Sequence, residues 1–160
     1  MLIVCTQDTR IRTSTADPSS GSSAWGDVVE LPVGAQVHAD QGFAHALAGL
    51  TDPLCLSAHG NDTELGDADS RPQDWEWSVD QIGDLLTRVP PGYADPILVH
   101  ACAEQISNFA ARLALALAQR RVLDGVWVYG YNRPVPADAS YPPPVGLERR
   151  ADLQWTQVTF

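Results

Sequence analysis

The sequence predicts an α/β fold, a three-layer sandwich in which a mainly parallel sheet carries helices on both faces. Short runs rich in Val, Ile and Leu alternate along the chain with amphipathic segments of helical period. The connections between successive apolar runs are long enough to hold a helix, which favours βαβ units. The length of 160 residues and the absence of an internal repeat indicate one domain over residues 1–160.

The elements are predicted in the order strand, helix, strand, helix, strand, helix, strand, with a final edge strand. Apolar or alternating runs predict strands at residues 1–6, 54–58, 96–100, 126–129 and 154–160, and an extended segment within 28–38. Helical spacing and capping residues predict helices at residues 40–50, 78–89 (with Ser78 as the N-cap) and from near Glu104 to 121. Polar and proline-rich composition predicts irregular segments at residues 13–26, 61–77 and 132–147.

The chain is strongly acidic, and this excludes two classes of partner. It has 20 acidic residues and ten basic ones, all of them Arg, which gives a net charge of −10. Nucleic acid and anionic membrane surfaces repel such a chain, whereas a basic protein partner is compatible with it. No apolar run approaches the ~20 residues that span a bilayer, and the N-terminal segment lacks the features of a signal peptide. We therefore expect a cytoplasmic protein, with non-classical export left open.

Two of the three cysteines are predicted to be structural. Cys5 and Cys55 lie inside apolar strand-like runs, where a free thiol behaves as a small buried hydrophobe. No pair of cysteines or histidines has the spacing of a zinc site, and the odd count does not favour a disulfide framework. We expect no metal and no cofactor, and a reducing compartment.

The reactive side chains stand at the ends of two predicted strands. His59-Gly60 follows the strand at 54–58, and Ala101-Cys102 follows the strand at 96–100. Ligands bind beyond the carboxyl ends of strands in an open parallel sheet, so neighbouring strands would bring His59 and Cys102 together. A histidine and the N-terminus of a following helix both activate a thiol. The backbone N–H groups of Gly60 and Cys102 could stabilise an oxyanion.

These residues resemble a known family. Ser57-Ala58-His59-Gly60 and Leu98-Val99-His100-Ala101-Cys102 are similar to the His-Gly and Ala-Cys signatures of caspase-fold cysteine peptidases. The segment from Gln105 to Leu117 looks most like the self-cleaving protease domains of bacterial toxins, and the resemblance covers residues 54–131. It implies a cysteine endopeptidase acting on a peptide or protein through a thioester.

The resemblance also assigns roles. His59 is the general acid or base, Cys102 is the nucleophile, and the amides of Gly60 and Cys102 form the oxyanion hole, with no third catalytic residue required. The strand that follows the nucleophile helix lines the pocket for the P1 side chain in this family. That strand supplies the candidate substrate-binding residues Trp127, Tyr129 and Arg133.

The sequence leaves the P1 preference open. Arg133 could bind an acidic side chain through its guanidinium group, and Trp127 with Tyr129 would suit an apolar one. A basic side chain could instead be received by the carboxylates of Asp62, Glu64 or Glu104.

Other readings of the same residues remain. His100 is expected to be structural, as are Trp75, Trp77, Trp127 and Trp155 as packing residues, and the acidic loop at 62–74 is expected to be solvated. The chain could be a catalytically idle binding or regulatory module on the same fold. It could also be an acidic inhibitor or immunity-type protein that masks a basic toxin, as the net charge of −10 allows.

Overall fold

A computed structural model describes residues 1–101 and 106–160 of the chain. Within these ranges it has four helices, α1 (Thr9–Ala16), α2 (Gln36–Ala48), α3 (Val79–Leu86) and α4 (Ser107–Gln119). The strands are β1 (Leu2–Val4), β2 (Val28–Glu30), β3 (Leu54–Gly60), β4 (Glu64–Gly66), β5 (Glu76–Ser78), β6 (Ile97–Ala101), β7 (Trp127–Tyr131) and β8 (Leu153–Gln157). The predicted α/β class is confirmed. No helix in the described ranges is long and apolar enough to cross a membrane.

The central sheet has the strand order β2-β1-β3-β6-β7-β8. Neighbours from β2 to β7 are parallel, and β8 closes the sheet as an antiparallel edge strand. The strands β4 and β5 form an antiparallel pair that extends from the carboxyl end of β3. The five parallel strands therefore have their carboxyl ends at one edge of the sheet, where ligands bind in this class of fold.

The two faces of the sheet carry different helices. On one face Gly130 of β7 packs against the start of α4, α4 contacts α3, and α3 contacts α2. On the other face Ser57 of β3 shares a hydrogen bond with Tyr141, which shares another with Thr15 of α1. Right-handed crossovers place α1 on the face opposite the other three helices. The step from β1 to β2 runs one way across the sheet, whereas the steps from β2 to β3, β6 and β7 run the other way.

The proline-rich connection between β7 and β8 completes the cover on the α1 face. It leaves the sheet after Tyr131 and returns at Leu153, which is the register partner of Tyr131. Tyr141, midway along it, donates its backbone N–H to Ser20 O at 2.7 Å, and its ring lies 4.3 Å from the ring of His100. The segment predicted to be irregular is therefore irregular but fixed, and it covers the buried polar residues of β3 and β6.

One prediction for the N-terminal third was wrong. Residues 13–26 were expected to form an exposed loop, whereas α1 extends to Ala16 and two 3₁₀ turns follow at Pro18–Ser20 and Ser22–Trp25. The hydroxyl of Thr15 donates to Ile11 O at 2.7 Å, and that of Ser22 donates to Thr15 O at 2.8 Å. Because these hydroxyls are satisfied by nearby backbone, a Ser- and Thr-rich segment can fold and be partly buried.

The polar segment at 61–77 was also predicted as a loop, but it contains β4 and the start of β5. Trp75 and Trp77 of this segment are buried, and their indole N–H groups donate to Gly34 O at 2.8 Å and Asp40 Oδ1 at 2.6 Å. Both therefore pack as predicted. The Ser78 cap is confirmed, since Ser78 and Gln81 form a reciprocal capping box at the start of α3.

Replacing Gly130 by Ala tests the packing of α4 on the sheet. A new Cβ there would lie 2.8 Å from Ile106 O and 3.0 Å from the Cβ of Ala110. We expect urea unfolding to show a loss of about 1–3 kcal/mol, because backbone must move to admit the methyl group. Gly49→Ala is the control: its nearest neighbour would be 3.8 Å away, so a change within about 0.5 kcal/mol is expected. Equal effects of the two changes would contradict the close packing.

Candidate active site

The two strands that carry the predicted reactive residues are neighbours. β3 and β6 pair in parallel from Leu54 opposite Ile97 to Ala58 opposite Ala101. The expectation that these strands lie side by side is therefore confirmed. Residues 102–105 lie outside the described part of the chain. The predicted nucleophile Cys102 and the predicted helix start near Glu104 belong to these residues and remain predictions.

His59 lies at the carboxyl end of β3 and is buried, with 8% of its surface exposed. Its Nε2 atom is 2.7 Å from Asp8 Oδ2. Asp8 lies on the short connection between β1 and α1, and β1 is the neighbour of β3 on the side opposite β6. Three adjacent parallel strands therefore deliver Asp8, His59 and Ala101 to the same edge.

Asp8 is a residue that the sequence analysis missed. Its Oδ1 atom accepts the backbone N–H of Arg10 at 2.8 Å, so Asp8 is the N-cap of α1. Burial raises the pKa of its carboxyl, but hydrogen bonds from His59 and Arg10 outweigh that effect and hold the pKa at about 2. Asp8 is therefore ionised at neutral pH. An Asp followed by Thr-Arg-Ile could have signalled a cap, but its contact with His59 depends on strand order.

Asp67, at the end of β4, holds the connection that carries Asp8. Its Oδ1 accepts from the hydroxyl of Thr6 at 2.6 Å and the backbone N–H of Gln7 at 2.7 Å. Its Oδ2 accepts from Gln7 Nε2 at 2.9 Å and from the backbone N–H of Trp75 at 2.8 Å. Burial raises the pKa of this carboxyl, and the hydrogen bonds lower it further than burial raises it. One ionised carboxylate thus joins the β1–α1 connection to the β4–β5 pair.

Gly60 is packed so closely that a side chain would not fit. A Cβ at this position would lie 2.7 Å from Leu65 Cδ2, 3.0 Å from Glu64 O and 3.1 Å from the Cβ of Ala101. The glycine therefore lets the β4–β5 pair and β6 both approach the end of β3. The prediction that its amide contributes to an oxyanion hole stays a prediction.

A cleft of about 180 Å³ opens beside His59, between the end of β3 and the β4–β5 pair. Four carboxylate side chains contribute to its lining, those of Glu64, Asp67, Asp74 and Glu76. A hydrogen bond with Glu64, together with its negative charge, raises the pKa of Glu76. The cleft next to the histidine is therefore acidic.

The predicted substrate-binding residues lie at different levels of β7. Trp127 is its first residue and is 40% exposed, at the end of the strand away from Tyr131. Tyr129 is buried and its ring lies 5.7 Å from that of Trp155. Arg133 follows the strand, and its Nη2 lies 3.0 Å from Asp152 Oδ2. Arg133 is thus already paired with a carboxylate, and a role in binding substrate remains a prediction for all three residues.

His100 is buried on β6, where its ring packs 4.3 Å from that of Tyr141 and 5.3 Å from that of Tyr131. Its Nε2 atom has no hydrogen-bond partner within the described residues. Burial lowers the pKa of His100 to about 4, so the ring is neutral at pH 7. This environment fits the structural role that the sequence predicts.

Comparisons with known proteins add no assignment. No protein-family model and no curated protein matches the chain. Within residues 1–101 and 106–160 no group of three or more His, Cys, Asp or Glu side chains is arranged to hold a metal ion. The function must therefore be inferred from the side chains of this protein and their contacts.

The buried His100 should make the free energy of unfolding depend on pH. The unfolded imidazole takes up a proton below its ordinary pKa of 6.5, whereas the folded one does so only near pH 4. The His100 contribution to stability should therefore fall as the pH drops below 6.5 and level off below about 4, with a loss of about 2 kcal/mol between pH 7 and pH 5. Urea unfolding across this range measures it.

Two variants isolate the effect. His100→Phe should remove this part of the pH dependence whatever its own stability at pH 7. His45→Gln changes an exposed histidine of α2 and should keep the dependence of the wild type. An unchanged slope in His100→Phe would contradict the assignment of the effect to His100.

Proposed function

We propose that the protein is a caspase-like cysteine endopeptidase in which His59 and Cys102 form the catalytic dyad. The pairing of β3 with β6 carries the proposal. Ala58 lies opposite Ala101, and the next residues in sequence are His59 and Cys102. Neighbouring strands lie about 4.8 Å apart and consecutive Cα atoms ~3.8 Å apart, so we expect chain connectivity to bring His59 and Cys102 near each other at one strand edge.

The other two cysteines support the choice of nucleophile. Cys5 and Cys55 are fully buried free thiols, and burial raises the pKa of both. A thiolate is the nucleophilic form of cysteine, and inert structural thiols are those buried in apolar surroundings. Cys102 is therefore the cysteine of this chain to which we assign catalysis. Reduced buried thiols also fit a cytoplasmic location.

The proposed reaction is acyl transfer in two steps. His59 takes the Cys102 proton, and the sulfur attacks the scissile carbonyl carbon of a peptide to form a tetrahedral oxyanion. The amides of Gly60 and Cys102 would stabilise that oxygen. The C–N bond breaks as His59 gives the proton to the leaving amine, which leaves a thioester. Water, with His59 as the base, hydrolyses the thioester to a carboxylic acid and restores the thiol.

The site next to His59 fits this chemistry. The imidazole is buried and hydrogen-bonded to an ionised carboxylate, and it borders a cleft open to a ligand. A histidine that accepts a proton in such a place gains an adjacent negative charge to stabilise its cation. The resemblance to caspase-fold peptidases supplies the substrate class, a peptide or protein.

Labelling with iodoacetamide tests the nucleophile without knowledge of the substrate. In the folded protein we expect rapid alkylation of Cys102 and protection of Cys5 and Cys55. Mass spectrometry follows the alkylation of each cysteine. His59→Ala should slow the labelling of Cys102 at neutral pH by about 100-fold or more, because the general base is lost. His38→Ala, which changes an exposed histidine of α2, should label like the wild type.

Cleavage of a fluorogenic peptide library tests the reaction itself. Cys102→Ala and His59→Ala should both abolish the cleavage that the wild type shows, and His38→Ala should retain it. Cleavage that survives in Cys102→Ala would show that Cys102 is not the nucleophile. If no peptide is cleaved and Cys102 reacts no faster than a cysteine of the unfolded chain, the protein is instead a catalytically idle module.

A further inference from the structure

We infer that Asp8 is a positioning residue that holds His59 in the tautomer with the proton on Nε2 and the lone pair on Nδ1. Its catalytic meaning rests on the proposed function, because Nδ1 would then be the atom that takes the Cys102 proton. The resemblance required no third residue beside the dyad. The assignment comes instead from the contacts of the β1–α1 connection with the end of β3.

The direction of the hydrogen bond follows from the charge of Asp8. Oδ2 of Asp8 lies 2.7 Å from Nε2 of His59. An ionised carboxylate can only accept hydrogen bonds, so Nε2 must carry the proton. A neutral imidazole protonated on Nε2 has its lone pair on Nδ1, the one ring nitrogen that can then act as a base.

The Asp8 carboxylate is held in one orientation. Oδ1 is used as the N-cap of α1, where it accepts the backbone N–H of Arg10 at 2.8 Å. The connection before it is held by Asp67 through Thr6 and Gln7. With one oxygen on the helix and the connection fixed on the other side, Oδ2 is left aimed at the imidazole. A catalytic base gains from such pre-organisation.

The same carboxylate would stabilise the charge that forms during the reaction. When Nδ1 takes the thiol proton, the ring becomes a cation next to Oδ2. Arg10 is the cation that competes for this oxygen, but its Nη2 lies 3.5 Å away and its side chain is 72% exposed. The shorter, less exposed contact is the one with His59, whose side chain is 10% exposed.

Three substitutions at Asp8 separate positioning from capping. Asp8→Asn and Asp8→Ser both keep a good N-cap, whereas Asp8→Ala removes it. The Asn amide can donate to Nε2 and so favours the opposite tautomer, and the Ser side chain is too short to reach the ring. Asp17→Asn is the control, because Asp17 accepts the backbone N–H of Ser19 in the same way as a cap but does not touch His59.

The tautomer is read directly by ¹⁵N NMR of His59 at about pH 9, in the full-length Cys102→Ala protein so that no thiolate charges the ring. We expect Nε2 to carry the proton in the protein with Asp8 unchanged and in the Asp17→Asn control. We expect a mixture in Asp8→Ser and mainly Nδ1 protonation in Asp8→Asn. A tautomer ratio that Asp8→Ser and Asp8→Asn leave unchanged would overturn the inference.

Alkylation of Cys102 measures the effect on the proposed reaction. Positioning predicts a fall of about 100-fold in the rate for Asp8→Asn and a smaller fall, about 10-fold, for Asp8→Ser, in protein that urea unfolding shows to be fully folded under the assay conditions. If Asp8 acts only as a helix cap, alkylation should be slowed in Asp8→Ala and normal in Asp8→Asn and Asp8→Ser. That result would also overturn the inference. If the tautomer responds while His59→Ala does not slow alkylation, the proposed dyad fails and the role of Asp8 toward His59 stands.

Discussion

The parallel pairing of β1, β3 and β6 is the constraint on which the candidate site depends. Because parallel strands end at the same edge, this pairing sets the connection with Asp8, the imidazole of His59 and the end of β6 side by side. The central strands β1 and β6 are buried throughout and β3 is buried up to His59, which is what a sheet covered on both faces requires. A shift of one residue between β3 and β6 would turn the side chains of one strand to the opposite face of the sheet. It would also separate His59 from the end of β6.

Two carboxylates convert this backbone frame into a defined polar site. Asp8 divides its oxygens between a helix N-terminus and an imidazole. Both oxygens of Asp67 accept from the connection after β1, and its Oδ2 also accepts the backbone N–H of Trp75. Each carboxylate is ionised because its hydrogen bonds outweigh the cost of its burial. The geometry of His59 therefore depends on electrostatics as well as on packing, and Gly60 provides the close approach that lets β4 reach it.

Much of the fold and of the candidate site could be predicted from local sequence pattern. The features that could not be predicted were missed for physical reasons. The strand ending at His59 and the Ser78 cap are encoded by residues close in sequence. The role of Asp8 is not, because it depends on β1 lying next to β3, and strand order is set by the packing of the whole sheet. The helix at Thr9–Ala16 was missed because its hydroxyl-rich residues resemble a loop until their backbone partners are known. The β4–β5 pair has three-residue strands, too short to show an alternating pattern.

The proposed catalysis requires Cys102 to meet the Nδ1 atom of an imidazole whose Nε2 is held by a carboxylate. The most direct measurement is the distance from Cys102 Sγ to each ring nitrogen of His59 in a crystal structure of the reduced protein. We expect Sγ to lie within about 4 Å of Nδ1, with Asp8 still hydrogen-bonded to Nε2. A sulfur closer to Nε2 than to Nδ1, or more than about 7 Å from the ring, would contradict it.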